Sequence, residues 1–513
     1  MKKVIYISLA LVILMAGSCK KFLTKEPQSS LSPANYYTNA DQVNIALNGV
    51  YDVVGQEITW GCRIPVRHNA STDECWFSYT SFPTGPFFYN YDASDPTVSE
   101  LWKVMYQGIE RANTLLASID KADMDSAARS VAKGEALFLR AFYYFTLVQY
   151  WGDVPLKLQP SSSVNNVDIA RTPMKEVYAQ ILADMKEAES RVLTVQQTGI
   201  SGRVTKSAVR GILARVCLTM AGAPLKDVSK FQDARDWAKK VKDDGYHALN
   251  ASYSQVFINE CADIEDPREC IWEAEEYGTN NDAYREGGRI GNENGVKCAS
   301  TNTADVGYAY SFNSATRKLY YLYSSADTRR DWAIGNYTLS ATGVKTLLSA
   351  STIYPRNCAK WRREYEVAYP RNKNYTPTNF PILRYSDVLL MLAEAENEVN
   401  GPTSLAHESL NLVRHRAGLA DTTIAGADGF RAEIRNERAR ELCFEGLRKP
   451  DLIRWGIFLT TMKDVATEFK TYASSSYQYA ATAAGNVSDR HLLYPIPTAE
   501  MSLNKAMKQN PGW

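Results

Sequence analysis

Helical periodicity constrains this chain more than any other feature, because apolar residues recur at three- and four-residue spacings through one segment after another. In residues 126–150, Val131, Phe138, Phe142 and Phe145 fall at spacings of 7, 4 and 3, and Leu137, Ala141, Tyr144 and Val148 at 4, 3 and 4. Two such interleaved rows make a wide apolar face, as expected of a helix packed on two sides. Residues 205–221 repeat the pattern with Ala208, Ile212, Val216 and Met220, and Thr205 stands where an N-cap belongs. Residues 384–399 do so with Val388, Leu392, Ala395 and Val399, ended by Gly401 and Pro402. Adding 101–118, 174–193, 230–243, 404–417 and 428–447 predicts at least eight helices, many joined as short antiparallel pairs.

Such pairs resemble tetratricopeptide hairpins, and Ala141 with Phe145 reproduces one local A-x-x-x-F element, although the strict 34-residue period is absent. The expected class is mainly α, a degenerate tetratricopeptide-like repeat scaffold. Two regions break the rhythm. Residues 60–91 hold Trp60, Trp76, Phe77, Tyr79, Phe82, Phe87, Phe88, Tyr89 and Tyr91 among Pro65, Pro83, Gly85 and Pro86; residues 270–380 are rich in Gly, Asn, Ser and Tyr. A long irregular stretch inside a compact protein is usually functional or an inserted lobe. The expected organisation is a leader at 1–18, a helical region at 19–245 carrying the aromatic loop 60–91, a loop-rich lobe at 246–380 and a helical region at 381–513.

Lys2 and Lys3, the apolar run Val4 to Met15, and Ala16, Gly17 and Ser18 before Cys19 have the layout of a secretory signal. The run's twelve residues rise about 18 Å as a helix, short of a hydrocarbon core about 30 Å thick. A Cys directly after small residues resembles the bacterial lipobox, in which the thiol is acylated and the peptide is cut before it. Composition narrows the partners: 58 Lys+Arg against 57 Asp+Glu lacks the basic field of a nucleic-acid binder. The 31 Tyr and 10 Trp against 16 Phe suggest surfaces for wet, partly apolar ligands. The other eight Cys show no C-x-x-C spacing, so zinc and redox motifs are weak readings. Cys217 and Cys443 read as buried small hydrophobes, and Cys62 with Cys75 or Cys261 with Cys270 are open as pairs.

No H-E-x-x-H, G-x-S-x-G, P-loop or G-x-G-x-x-G occurs, and the five His are scattered. No cofactor or metal is expected; Asp92 with Asp95 and Asp123 with Asp125 are sparse for an EF-hand, leaving a structural Ca²⁺ open at an irregular acidic loop. Glu437, Glu441 and Glu445 line one helix face at i, i+4 and i+8. They read either as glycosidase carboxylates or as a structural network answered by Arg384, Arg414 or Arg454. The network reading is favoured, because arginine stabilises the ionised form whereas a general acid needs a raised pKa. Exposed aromatics stack on the C–H face of a sugar, with Asn69, Asp73, Glu74 and Asn90 beside them as hydrogen-bonding groups.

The chain resembles the SusD/RagB family of outer-membrane nutrient-binding lipoproteins along nearly its whole length. The resemblance begins at Cys19, Phe22, Leu23 and Pro27 and continues through L-F-L-R-A-F-Y-Y-F-T-L-V-Q-Y-W-G-D-V-P-L (Leu137 to Leu156) and F-P-I-L-R-Y-S-D-V-L-L-M-L-A-E-A (Phe380 to Ala395). It runs on through I-R-N-E-R-A-R-E-L-C-F-E-G-L-R (Ile434 to Arg448), L-L-Y-P-I-P (Leu492 to Pro497) and the closing Q-N-P-G-W. It implies a tetratricopeptide-like scaffold with an irregular glycan-binding lobe, held at the cell surface by a lipid on Cys19. Such a protein sits as a lid on a SusC-type TonB-dependent barrel and delivers oligosaccharides to it without catalysis. The segment from Thr72 to Trp76 resembles the stretch after which starch-binding members place stacking side chains, nominating Trp76, Phe77 and Tyr79; Tyr308 and Tyr284 fall near two further stacking positions. One departure is Lys449 and Pro450, where many members carry an aromatic pair, and Pro450 is expected to end a helix. The competing readings are a glycoside hydrolase and a helical-repeat protein that binds a peptide or another non-carbohydrate nutrient. Cys19→Ala is expected to release the protein from membranes, checked by fractionation; persistent attachment contradicts the lipid anchor.

Overall fold

The computed structural model describes residues 36–161, 163, 167–278, 280, 287–299 and 307–513. The leader, Cys19 and Tyr284 lie outside them. Six helices, α1 (Ala40–Gly55), α2 (Pro96–Ser118), α3 (Ser126–Trp151), α4 (Met174–Arg191), α5 (Lys206–Ala221) and α6 (Lys230–Asp243), each pack against the one before. The chain then leaves the stack through α7 (Tyr253–Ala262) and the lobe. It returns as α8 (Tyr385–Asn400), which packs on α6 and carries α9 (Ser404–Arg416) and α10 (Ala427–Leu442). Helices from both sides of the lobe therefore form one continuous stack of the kind expected for an α-solenoid. A last pair, α12 (Phe458–Tyr472) and α13 (Gln478–Gly485), follows the short α11 (Arg448–Arg454).

Local chemistry explains where these helices begin and end. Thr205 accepts a hydrogen bond from the Ala208 amide at 3.3 Å, as its N-cap position predicts. Two of the acids considered for a cation serve the same purpose: Asp95 accepts from the Thr97 amide and Asp125 from that of Ala128, both at 2.8 Å. Asp92 accepts from the Ser94 amide and hydroxyl. The helix expected over 428–447 stops at Leu442, because Phe444 and Gly446 adopt φ of 65° and 76°. A Cβ on Gly446 would also lie 2.8 Å from the Pro65 backbone, so the corner needs glycine twice over. Pro450 does not end a helix. It sits in the first turn of α11, where the amide it lacks has no intrahelical partner to lose.

The lobe is stitched to the stack by short ladders. Strands β2 (Cys270–Ala274) and β6 (Phe380–Arg384) pair antiparallel and close its two ends together. Strand β1 (Cys75–Phe77) of the aromatic loop pairs antiparallel with β3 (Asn313–Ala315) of the lobe. A hairpin of β4 (Tyr337–Leu339) and β5 (Lys345–Leu347) completes the strands among the described residues. The eight cysteines from Cys62 to Cys443 are buried free thiols, so the pairs considered from sequence do not form. Among the described residues no helix is long and apolar enough to cross a membrane.

Charged groups occupy the junction. Glu441 on α10 meets Arg329 from the lobe at 3.0 Å, Arg384 from β6 at 3.0 Å, and Arg416 from α9. Arg329 also binds Glu437 at 2.6 Å and Asp327 at 2.7 Å; Arg384 also binds Glu445 at 2.7 Å, which Lys360 reaches at 2.6 Å. All of these groups are buried except Arg416, which is of intermediate exposure as a residue although its side chain is 3% exposed. The arginines hold the Glu441 carboxyl well below the usual carboxylate range against the opposing effect of burial. Of the cations expected to answer this acidic face, Arg384 does so through Glu441 and Glu445 and Arg414 through Glu437 at 3.4 Å, while Arg454 binds Glu394 and Asp451.

Removing one partner from a closed buried network leaves an uncompensated charge. Arg384→Met is therefore expected to lower stability by about 3–5 kcal/mol, read by urea unfolding; a loss below about 1 kcal/mol, typical of a surface pair, would contradict it. The pH dependence has two limbs. Asp387, held down to about 2 by Arg438 and Arg215 despite burial, contributes stability above the unfolded value of about 3.9. That contribution is lost as pH falls toward 2. Glu74, pushed up to about 8 by burial, favours the folded state below its unfolded value of about 4.3, an advantage lost as pH rises toward 8. Thermal melts are expected to rank pH 5 above both pH 3 and pH 8.

Candidate functional site

The seven residues nominated from sequence separate into two groups and one position beyond the described residues. Trp76 is 2% exposed and packs edge-on against Phe469, Tyr477 and Tyr479 at centroid distances of 5.3 to 5.6 Å. Phe77 is 1% exposed and stacks on Phe87 at 4.0 Å. Asp73 is 2% exposed, with Arg448 across both oxygens at 2.8 Å and Lys318 at 2.8 Å. Asn69 is 5% exposed and accepts from the Tyr150 hydroxyl at 3.0 Å. All four side chains are buried, Trp76 against the α12–α13 pair, Phe77 and Asp73 within the loop and against the lobe, and Asn69 against α3, so none of them presents an open stacking or hydrogen-bonding face. Glu74 is likewise buried, and Asn90 is spent on its own loop, bonding Gly85 and Pro83.

Tyr79 and Tyr308 behave differently, and the β1–β3 ladder brings them together. Phe77 pairs with Asn313, and the Ser78 amide donates to the Phe312 carbonyl at 2.6 Å, so the next residue, Tyr79, lands on Phe312 with ring centroids 4.5 Å apart. Upstream of β3, Tyr308 and Tyr310 flank buried Ala309, and extended chain places such alternate residues on one face; Ser311, with φ of 57°, then breaks the extended run before Phe312. Tyr308 meets Tyr310 edge-on at 4.6 Å, Tyr310 meets Tyr79 at 5.6 Å, and Tyr79 meets Phe82 at 5.4 Å. The result is a continuous row of half-buried rings, Tyr308, Tyr310, Tyr79 and Phe82, over the buried Phe312.

Polar groups beneath fix the row. Arg363 and Asn292 both donate to the Tyr308 carbonyl, at 2.7 and 3.0 Å, and the Tyr310 amide donates to the Asn292 carbonyl at 2.8 Å. Arg67 lies over the Phe82 and Phe312 rings while its guanidinium grips Glu293. The exposed Lys373 ammonium sits 5.1 Å from the Tyr308 ring. Burial and Tyr310 push the Tyr308 phenol up, so it stays a neutral hydrogen-bonding group. A row of fixed aromatic faces with hydroxyls at their edges can stack on flat, partly apolar ligands and bond their polar rims. Sequence reading missed Tyr310, Phe82 and Lys373; the alternation from Tyr308 to Phe312 was the available signal for the first.

Glu437 and Glu441 are buried, ion-paired and held toward ionisation, the opposite of what an acid catalyst requires. Two sets of cation-ligand types occur among the described residues, Glu260 with Cys270 and Glu273, and Glu265 with Glu273 and Glu275, the ligand atoms of each lying within 4.8 Å of one another. In the first set burial pushes the Glu260 and Glu273 carboxyls up, and the Cys270 thiol donates to Glu273 at 3.1 Å.

Known proteins match both halves of the chain. Residues 332–513 match the family described as the SusD family, and residues 21–218 match the family described as starch-binding associating with outer membrane. A SusD homolog of Bacteroides thetaiotaomicron superimposes with a TM-score of 0.87 at 29% identity, over 94% of this chain and 98% of that one. SusD-like protein P25 of Formosa agariphila is 24% identical over 97% of this chain and 96% of its own length. The starch-binding protein SusD of Bacteroides thetaiotaomicron is 22% identical over 86% of this chain and 84% of its own. With the helical stack, the stitched lobe and both terminal regions in agreement, the chain belongs to the SusD/RagB family.

Proposed function

We propose that this protein is a non-catalytic glycan-binding lipoprotein of the outer-membrane surface. It captures oligosaccharides on the Tyr308, Tyr310, Tyr79 and Phe82 row and passes them to a SusC-type TonB-dependent barrel. The observation that carries the binding reading is the row itself: four half-buried rings on one face, their backbone pinned from below. Support for a carbohydrate comes from the relatives, one of them named a starch-binding protein, and from the second family description. The near balance of charge suits a neutral or weakly charged glycan. Delivery to a barrel rests on the family alone.

Tyr308→Ala and Tyr310→Ala are each expected to weaken glycan binding by about 1 to 3 kcal/mol, as for an interface hot spot, with unchanged thermal stability. Calorimetry against a glycan panel checks this, and unchanged affinity in both variants would remove the row from the site. Trp76→Ala should instead destabilise the fold by about 3–5 kcal/mol, the cost of truncating a buried aromatic. Reducing ends released from a polysaccharide by the wild type, and lost in Glu441→Ala, would overturn the non-catalytic reading.

A further inference from the structure

A cavity of about 320 Å³ opens between α3, α11 and the C-terminal segment, formed by residues other than those of the aromatic row. Its walls are apolar, with Val148, Tyr178, Phe458 and Leu493 among the lining side chains, and its rim includes exposed Pro224, Asp489 and Arg490. At its floor is Lys449, 3% exposed. The Lys449 ammonium donates one hydrogen bond, to the His68 carbonyl at 3.3 Å, and lies 5.0 and 5.3 Å from the Tyr89 and Tyr494 rings. An ammonium has three donors, and among the described residues no carboxylate forms an ion pair with this one.

The rest of the floor leaves that charge unanswered. His491 lines the cavity, and its Nε2 is buried without a partner, as is that of His68. Burial lowers both imidazoles, His491 to about 4, so they are neutral. Tyr89 and Tyr494 are neutral phenols raised by burial. Two further cations line the cavity: Arg454, spent on Glu394 and Asp451, and Arg490, which leans over Trp513. Asp489 is the exposed acid of the rim. Burial alone pushes the Lys449 amine down to about 7, as expected where no anion offsets desolvation. A buried, underused donor beneath apolar walls is complementary to a molecule with one anionic end and an apolar body. A sugar ring, hydroxylated on every edge, is not.

We propose that this cavity binds a small organic monocarboxylate, its carboxylate against Lys449 Nζ and its apolar body against the wall of Val148, Tyr178, Phe458 and Leu493. This second site does not depend on the glycan reading. A bound carboxylate restores the ammonium, so binding takes up protons near pH 8 and weakens as pH rises above 7.

Calorimetry on the full chain with decanoate, hydrocinnamate and hydrocinnamyl alcohol tests the proposal. At least one acid is expected to bind, and the alcohol to bind about tenfold more weakly than hydrocinnamate or worse, the value of a charge-assisted hydrogen bond. Lys449→Met should erase the preference for the acid. Leu493→Trp, which fills the cavity from its apolar side, should abolish binding of all three while glycan binding persists, and it serves as the test if Lys449→Met melts early. Equal binding of acid and alcohol, no binding of either acid by the wild type, or acid binding that survives Leu493→Trp overturns the proposal.

Discussion

The junction between the irregular lobe and the helical stack depends on how Glu441 is satisfied. Its carboxylate collects Arg329, Arg384 and Arg416, which come from the lobe, from β6 and from α9. No pair of these elements can part without stranding a charge in a low-dielectric interior, where an unpaired ion is far more costly than an unmade apolar contact. An apolar junction of the same volume could be equally stable. It would not specify which face of the lobe meets which helix, because apolar surfaces slide whereas a bidentate guanidinium does not.

That specification matters because the lobe has little regular structure of its own. Its ends are zipped by β2 and β6, its middle is pinned to the aromatic loop by β1 and β3, and its remaining order comes from side chains bonding to backbone. Arg356 donates to the carbonyls of Thr352, Gly335 and Ser349, and Arg363 to those of Tyr308, Asn372 and Lys373. Irregular backbone inside a protein must find such partners. Here they are arginines already paired or buried, so the loops bearing the aromatic row are held by side-chain hydrogen bonds where no ladder holds them. Rigidity of this kind reduces the ordering cost of binding.

The helical scaffold was legible because its signal is local. The segments expected at 174–193, 205–221, 230–243 and 384–399 appear as Met174–Arg191, Lys206–Ala221, Lys230–Asp243 and Tyr385–Asn400. The acidic face of Glu437, Glu441 and Glu445 announced a need for cations. Arg329 and Arg416 were not foreseeable as two of those that answer it, since they arrive from other elements. The burial of Trp76 was not legible for the same reason: it is decided by Phe469, Tyr477 and Tyr479, from the far end of the chain. Aromatics clustered between prolines and glycines look exposed when each is considered against solvent. In the structure they are partners for one another.

The excess of tyrosine over phenylalanine has a different meaning in this light. Many of the tyrosines are buried rings whose hydroxyls donate to backbone carbonyls: Tyr143 to Val50, Tyr144 to Lys157, Tyr89 to Ser71, Tyr253 to Glu441 and Tyr323 to Arg440. Each supplies apolar volume and one donor, which phenylalanine cannot. A fold that joins a helical stack to a large irregular lobe has many carbonyls beyond regular ladders, at helix ends and loop crossings, and tyrosine satisfies them without adding a charge. Composition alone therefore overstates the binding surface, since part of the tyrosine signal belongs to the joinery. What distinguishes Tyr79, Tyr308 and Tyr310 is that their rings stop at the surface and lean on one another. Residues that cohere as a group and end half-exposed on hydrogen-bonded backbone are the ones the proposed glycan site uses.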